Sequence, residues 1–517
     1  MPSMYRLFLV SALFLLARPP LMLADDRPAS RELTPETVVV SVKYAPNQPP
    51  ITLTLRQFMK KYNIPGLSVA VIDNYKIAWA KGFGMTAPGG TDPVTPATLF
   101  QAGSISKPVA ATGALWLVEQ GKLALDEEVN QKLTTWKVPE NEFTQTEKVT
   151  LRRLMSHTAG LTVHGFPGYA VGQPIPTLVQ IFNGEKPANT APIRVDTVPG
   201  TKMRYSGGGV TIEQQLMLDV TGQPFPQFMQ EAVLTKIGMT DSTYEQPLPA
   251  ARAAHAATGT RPNFQPVEGK WHIYPEMAAA GLWTTPTDLA KFAIEIALSK
   301  HGKANHVLSE KMTREMLTAV PGHPGDESSN VGLGFFLNEK NPDQFGHNGS
   351  DEGFQSFLTM FADSGKGLVI MGNADTFFYI TPHIVDAVAH AYGKYVRDPA
   401  PADQVLMLIE NVKGTPAALV YYRQLKTVRP PEYKLDEGSL NTLGYHLMRQ
   451  KKLDEAIIVF KLNVHEYPNA WNPYDSLGEA YMNAGQKDLA IQNYEKSLAL
   501  NPNNKNGADM LKRIKGQ

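Results

Sequence analysis

The sequence contains no cysteine, which excludes every function class that depends on thiol chemistry. Disulfides, thiolate nucleophiles and Cys-ligated metal sites cannot form. The 12 histidines include no His-Glu-x-x-His arrangement, so this zinc motif is missing as well. We therefore expect neither a bound metal ion nor another cofactor.

The chain also lacks an excess of charge of either sign. It carries 49 basic and 49 acidic residues, which gives a formal net charge of zero and a pI near 7.2. Without a field of one sign, nucleic acid and anionic membranes are not expected partners, and a small molecule or a peptide is the expected substrate. The length of 517 residues with 43% hydrophobic content allows a large core.

A hydrophobic run long enough to cross a bilayer is missing at the N-terminus. The apolar stretch of residues 7–17 follows Arg6 and has only 11 residues. It is too short for a membrane-spanning helix but typical of a secretory signal. We predict a signal peptide over residues 1–24, cut after Ala24, no other transmembrane anchor, and a periplasmic or secreted protein. Because Met22 is not small, a retained anchor is the alternative.

The segment around Ser104 combines a reactive pattern with a buried helix. Ser104 and Lys107 form a Ser-x-x-Lys motif that leads into the apolar run 109–118, and Gly121 marks the end of the helix. A spacing of three residues places the hydroxyl and the amine on one helical face, where a neutral amine could take the serine proton. The motif alone also arises by chance, so it needs support from its context.

Three further residues are candidates for a catalytic role. Tyr205 precedes Ser206 and three glycines, a sequence typical of a turn that approaches a ligand closely. His347 lies in His347-Asn348-Gly349, next to a predicted strand, and His157 follows a short helix capped by Thr150 and stopped by Gly160. Each has a structural alternative. Tyr205 could be a packing tyrosine, His347 a solvated loop histidine, and His157 a histidine that satisfies local backbone groups.

The three motifs at Ser104, Tyr205 and His347, in this order, resemble those of the serine β-lactamase and penicillin-binding family. The likeness is to class C β-lactamases, D-stereospecific peptidases and family VIII esterases, and it covers about residues 50–395. Segments 154–161 and 280–288 also resemble recurring segments of that family. The resemblance implies an α+β fold: an antiparallel sheet flanked by helices, with a helical lobe and the active site between them.

The resemblance also implies a role for each residue of the site. Ser104 would be the acylated nucleophile, Lys107 and Tyr205 would share proton transfer, and the backbone N–H groups of Ser104 and Ser350 would form the oxyanion hole. His347 would stand where many relatives carry lysine, and would polarise the tyrosine or bind a substrate carboxylate. The substrate-binding positions would be Gly207, Asn348 and Gly349.

Two of these positions depart from the family pattern. Many class C enzymes carry asparagine where this chain has Gly207, which offers no side chain to the substrate. A histidine at position 347 is a weaker partner than a lysine for a β-lactam carboxylate, because it can be neutral near pH 7. Both departures favour an esterase or a D-amino-acid peptidase over an efficient β-lactamase.

The C-terminal part contains an internal repeat. The same pattern of residues occurs twice with a period of 34 residues, which is the tetratricopeptide pattern. The first copy consists of Leu440, Leu443-Gly444, Leu447, Ala456, Phe460 and Pro468. The second copy consists of Tyr474, Leu477-Gly478, Tyr481, Ala490, Tyr494 and Pro502. We predict a hydrolase domain over 25–398, a helical linker over 399–432 and an all-α repeat domain over 433–517. The repeats predict a protein or peptide partner, with a stabilising appendage as the alternative.

Two functions from different classes follow. The first is a secreted serine hydrolase that acts through an acyl-enzyme on an ester, a D-amino-acid amide or peptide, or a β-lactam. The second is a catalytically weak penicillin-recognising or peptidoglycan-binding protein whose repeats bind a protein partner. The complete Ser, Lys and Tyr set favours the enzyme, and Gly207 favours the second function.

Overall fold

The computed structural model describes residues 32–320, 330–392, 400–428 and 433–516. The predicted signal peptide, residues 1–24, lies outside the described residues. Within the described ranges, no helix combines the length and the apolar character needed to cross a membrane.

Strands and helices alternate irregularly along the chain. The strands are β1 Val38–Val42, β2 Ile51–Thr54, β3 Gly66–Asp73, β4 Lys76–Gly84, β5 Phe100–Gln101, β6 Tyr169–Ala170, β7 His272–Ile273, β8 Trp283–Thr284, β9 Phe336–Asn338, β10 Asn341–Asp351, β11 Phe354–Phe361, β12 Lys366–Gly372, β13 Ala400–Pro401 and β14 Tyr433–Lys434.

The helices of the hydrolase part are α1 Leu55–Lys61, α2 Ser106–Glu119, α3 Leu151–Met155, α4 Leu178–Asn183, α5 Gly207–Thr221, α6 Phe225–Met229, α7 Thr235–Ile237, α8 Ala250–Ala253, α9 Met277–Ala280, α10 Pro286–Ser299, α11 Glu310–Met316 and α12 Thr381–Tyr392. The helices that follow are α13 Ala402–Lys413, α14 Thr415–Val428, α15 Glu437–Arg449, α16 Leu453–Glu466, α17 Trp471–Asn483, α18 Lys487–Leu500 and α19 Lys505–Lys515.

The central element is a six-stranded sheet in the order β4-β3-β12-β11-β10-β9. All of its neighbouring strands pair antiparallel. Helices cover both faces, and a helical lobe built from the segment between β4 and β9 lies beside the sheet. This architecture confirms the predicted fold class.

The side chains of β3 show how one sheet separates two hydrophobic cores. Ala70 and Ile72 belong to the core that contains α2, α10 and the helical lobe. Leu67, Val69 and Val71 belong to a second core on the opposite face, which contains α1, α12 and the C-terminal helices. Successive strand residues point to opposite faces, so a continuous apolar run is buried on both sides.

The C-terminal helices stack as repeating pairs. The first helices of the pairs, α13, α15 and α17, and the capping helix α19 begin 34 or 35 residues apart. The close pairing requires glycine at the repeat position Gly444, where a Cβ would lie 2.5 Å from the ring of Phe460. The helices α13 and α14, predicted as a linker, thus form a pair ahead of the two repeats recognised in the sequence.

These helices also pack on the hydrolase part. Lys61 of α1 donates to the carbonyl of Asn411 in α13 at 2.9 Å. Within the stack, the buried carboxylate of Glu410 pairs with His446 at 3.2 Å and with Lys452 at 2.6 Å. The second core therefore runs from the sheet through α13 into the repeats.

Candidate active site

The candidate nucleophile Ser104 lies in a 3-10 turn, Gly103–Ile105, which leads directly into α2. It therefore precedes the helix by two residues rather than forming its first turn. Hydrogen bonds hold the turn from two sides: Ser356 Oγ donates to the carbonyl of Ala102 at 2.7 Å, and Ser106 Oγ donates to the carbonyl of Gly103 at 2.6 Å. The hydroxyl of Ser104 is thus presented from a rigid backbone.

Lys107 places its amine next to this hydroxyl. Its Nζ lies 2.9 Å from Ser104 Oγ and donates to the carbonyl of Ala279 at 2.7 Å. Its side chain lies in the interior, since the residue is only 4% exposed. A carbonyl can only accept, so one N–H of the amine is used there, and a neutral amine keeps a lone pair for the serine proton.

Tyr205 is the third predicted member of the site and lies over the amine. The Nζ atom of Lys107 is 4.9 Å from the centroid of the phenol ring. Other rings surround the phenol: those of His157 at 4.3 Å, His164 at 4.9 Å and Phe336 at 6.1 Å, centroid to centroid. The structure therefore brings Ser104, Lys107 and Tyr205 together.

His347 lies in the middle of β10, not in a solvated loop. It pairs with Leu358 across the sheet and is 5% exposed. Its Nδ1 is 2.6 Å from the carbonyl of Asn348 and must donate to it, because a carbonyl can only accept. In the neutral ring Nε2 is then an unprotonated acceptor. Among the described residues, Nε2 has no hydrogen-bond partner. Burial lowers the pKa of His347 to about 3. The imidazole is therefore neutral.

The ring of His347 faces the phenol, with 6.2 Å between the centroids of His347 and Tyr205. Its free Nε2 lone pair is suited to accept a hydrogen bond from a phenol or from a substrate donor. It is not suited to neutralise a substrate carboxylate, because that role needs a cation.

The predicted oxyanion hole depends on close contact between two backbone segments. Gly103 has φ +52°, and a Cβ at this position would overlap the backbone of Ser350. A Cβ at Gly349 would overlap the carbonyl of Ala102. Both glycines therefore allow β10 to lie against the turn that carries Ser104, which brings the backbone of Ser350 beside the nucleophile.

The predicted substrate-binding positions differ in their surroundings. Asn348 is exposed on β10, whereas Gly207 is buried and begins α5. The backbone N–H of Gly207 donates to the carbonyl of His164 at 2.9 Å, and a Cβ there would lie 3.0 Å from the ring of Phe166. The ring of Phe166 thus lies where a side chain at position 207 would extend.

Three buried carboxyl groups lie near the site: Glu213, Glu276 and Asp351. Each has at least one carboxyl oxygen without a hydrogen-bond partner among the described residues. Burial raises the pKa of both Glu213 and Glu276 to about 8 and that of Asp351 well above its ordinary value. Glu213 and Glu276 are therefore mainly protonated near pH 7.

The sequence did not indicate several residues that complete the site. The carbonyl of Ala279 binds the amine of Lys107, and the rings of His164 and Phe336 contact Tyr205. Backbone carbonyls carry no sequence signal, and these contacts join segments more than 35 residues apart. Within the described ranges, no cluster of His, Asp and Glu side chains could hold a metal ion.

The chain is similar to known proteins in two regions. The family model described as Beta-lactamase matches residues 51–422, and the model described as Tetratricopeptide repeat matches residues 471–504. A beta-lactamase of Pseudomonas fluorescens is 31% identical over 188 residues, which are 36% of this chain and 48% of that protein. Protein flp of Staphylococcus aureus is 23% identical over 64% of either chain. The chain thus spans about half to two thirds of these two relatives.

Solved structures share the fold. A beta-lactamase/D-alanine carboxypeptidase from Yersinia pestis, complexed with citrate, superposes with a TM-score of 0.52 at 18% identity and covers 65% of this chain and 95% of its own. An octameric penicillin-binding protein homologue from Pyrococcus abyssi has a TM-score of 0.51 at 22% identity, covering 65% and 75%.

Proposed function

This chain belongs to the beta-lactamase family, and we propose that it is a serine hydrolase that forms an acyl-enzyme through Ser104. The observation that carries the proposal is the 2.9 Å hydrogen bond between Lys107 Nζ and Ser104 Oγ. The substrate is an ester, a D-amino-acid amide or peptide, or a β-lactam. Among these, an uncharged ester is favoured, because the neutral imidazole of His347 cannot pair with a β-lactam carboxylate.

In the acylation step, Ser104 Oγ attacks the substrate carbonyl carbon while its proton passes to the lone pair of Lys107 Nζ. The negative charge that develops on the carbonyl oxygen is stabilised by the backbone N–H groups of Ser104 and Ser350. The carbonyl of Ala279 accepts from the amine throughout and holds its lone pair towards Ser104.

Breakdown of the tetrahedral intermediate requires a proton for the leaving group. The phenol of Tyr205 gives its proton to the leaving oxygen or nitrogen and regains one from Lys107, whose amine lies 4.9 Å from the ring centroid. A water molecule then attacks the acyl-enzyme, with the same groups acting in reverse, and releases the acid and free Ser104.

A fluorophosphonate probe tests the nucleophile directly. Wild-type protein should be labelled, Ser104→Ala should not, and Ser364→Ala, an exposed residue of the β11–β12 turn, should be labelled like wild type. Nitrocefin, p-nitrophenyl butyrate and D-alanyl p-nitroanilide then separate the substrate classes, with the butyrate ester expected to turn over fastest. Equal labelling of wild type and Ser104→Ala would reject the proposal.

Location and partner are further parts of the proposal. The N-terminal apolar stretch supports export to the periplasm or the medium, which fractionation of cells that express the full chain would test. The tetratricopeptide repeats support binding of a protein partner, in addition to their packing on the hydrolase part.

A further inference from the structure

A small cavity opens beside the catalytic groups, at the edge of the sheet formed by β9 and β10. It has a volume of about 170 Å³, and its lining includes Phe336, Leu337, His347, Asn348, Phe357 and Leu358. Two of these residues, Phe336 and His347, also belong to the ring cluster around Tyr205. The cavity therefore borders the ring cluster around Tyr205.

Phe336 is the residue that joins the cavity to the catalytic tyrosine. Its ring lies nearly parallel to that of Tyr205, with an interplanar angle of 11° and 6.1 Å between centroids, and its centroid is 5.0 Å from that of His347. Although it is a large apolar side chain, it is 36% exposed. An exposed aromatic ring at the mouth of a reactive site is suited to bind another ring or an apolar group.

The cavity has no charged residue in its lining. Its polar side chains are largely satisfied by one another: Asn338 Nδ2 donates to Gln344 Oε1 at 2.8 Å, and Gln344 Nε2 donates to Thr359 Oγ1 at 3.0 Å. His347 is held neutral by its burial. A charged group placed here would lose its hydration without gaining a partner, whereas an uncharged group would not.

We propose that this cavity binds an uncharged ring of the substrate, so that the enzyme prefers esters that carry an aromatic group next to the scissile bond. The inference rests on the proposed hydrolase function and names the substrate class of the same site. The volume of about 170 Å³ is sufficient for one ring, since benzene fits a cavity of about 150 Å³.

Matched esters with simple partners test the proposal on the full chain. Ethyl phenylacetate is compared with ethyl butyrate, and benzyl acetate with butyl acetate, by acid release in a pH-stat. We expect one of the ring-bearing esters to exceed its open-chain match by about tenfold in kcat/KM, because burial of an aromatic group is worth that much or more. Ethyl 4-carboxyphenylacetate, whose ring carries a charged carboxylate, should lose this advantage over ethyl butyrate.

Variants assign the preference to Phe336. The ratio of kcat/KM for the ring-bearing ester to that for its match should fall towards one in Phe336→Ala and take an intermediate value in Phe336→Leu. It should be unchanged in Phe378→Ala, which removes another phenylalanine, 44% exposed, outside the cavity. Folding of each variant is checked by circular dichroism, and the Leu variant serves if the Ala variant does not fold.

The outcomes separate the two proposals. Hydrolysis of the esters with no preference for a ring, or with a preference that survives in both Phe336 variants, would overturn the subsite and leave the hydrolase function intact. If no ester is hydrolysed and the fluorophosphonate does not label Ser104, the hydrolase function and the subsite both fail.

Discussion

The imidazole of His157 packs against the ring of Tyr205, with 4.3 Å between the two centroids. The same histidine binds the backbone on both sides of the tyrosine: its carbonyl accepts from the N–H of Arg204 at 2.8 Å, and its Nδ1 accepts from the N–H of Ser206 at 3.3 Å. Burial lowers the pKa of His157 well below its ordinary value, which keeps Nδ1 free to accept. His157 therefore positions the phenol and need not act on the substrate.

We predict that His157→Ala lowers kcat by about tenfold to a hundredfold, because a catalytic group displaced by about 1 Å loses up to that much rate. His157→Asn should retain more activity than His157→Ala. Its Oδ1 can replace Nδ1 as acceptor, and asparagine tolerates the left-handed backbone at this position, where φ is +59°. Steady-state kinetics on p-nitrophenyl butyrate would measure both variants, and equal losses would argue against the backbone contacts as the cause.

The local part of the site could be predicted from the sequence, because a spacing of three residues in or near a helix fixes which side chains meet. Ser104 and Lys107 are within hydrogen-bond distance as that spacing requires. The end of α3 was less predictable. The sequence predicts that Gly160 stops the helix, but α3 ends at Met155 and His157 adopts the left-handed conformation. This conformation directs the histidine to Tyr205, a contact between distant segments that no local pattern reveals.

The strand that carries His347 shows the same limit. The segment 341–351 contains Pro, Gly, Asn and Asp, which are poor strand formers, so the sequence alone is also compatible with a loop histidine. In the structure this segment is an eleven-residue strand paired with β11 and β9. Tertiary pairing thus overrides local propensity, and the neutral state of His347 follows from a burial that the sequence could not indicate.

A second prediction concerns the proton acceptor. Lys107→Arg should lower kcat by about a hundredfold to ten-thousandfold, the range for loss of a general base, because a guanidinium does not give up its proton at accessible pH. Lys107→Met should be equally inactive. The exposed residue Lys76 provides the control, since Lys76→Arg makes the same exchange away from the site. An active Lys107→Arg enzyme would show that the amine is not the base.

A third prediction concerns Gln214, which links α5 to α9. Its Nε2 donates to the carbonyl of Pro275 at 3.1 Å and its Oε1 accepts from the N–H of Ala278 at 2.9 Å. The next residue, Ala279, holds the amine of Lys107. Gln214 is therefore a positioning residue that acts through α9.

Gln214→Met keeps the size of the side chain and removes both hydrogen bonds, so kcat should fall about tenfold or more while KM changes little. The control is Gln215→Met, on the same helix, whose amide donates to Asp219 instead of α9. Burst kinetics would show whether the loss lies in acylation. A parallel rise in KM with constant kcat would indicate a binding defect and contradict the positioning role.

The last prediction concerns the stability contributed by Glu213, a buried residue of α5 that is 1% exposed. Desolvation raises its pKa to about 8 in the folded protein. In the unfolded chain the carboxyl ionises at its ordinary pKa of about 4.3. Between these two values the folded protein binds a proton that the unfolded chain has released, so the free energy of unfolding falls as pH rises, by up to about 1.4 kcal/mol per pH unit.

Glu213→Gln removes this titration without changing the shape of the side chain. The free energy of unfolding of the variant, minus that of wild type, should therefore increase from pH 5 to pH 8 and remain constant at lower and higher pH, where the carboxyl has the same charge in both states. Urea unfolding at half-unit pH steps would measure the difference, and other titrating groups cancel because the two proteins share them. A difference that stays flat from pH 5 to pH 8 would mean that Glu213 ionises alike in the folded and unfolded protein, and would contradict the raised pKa.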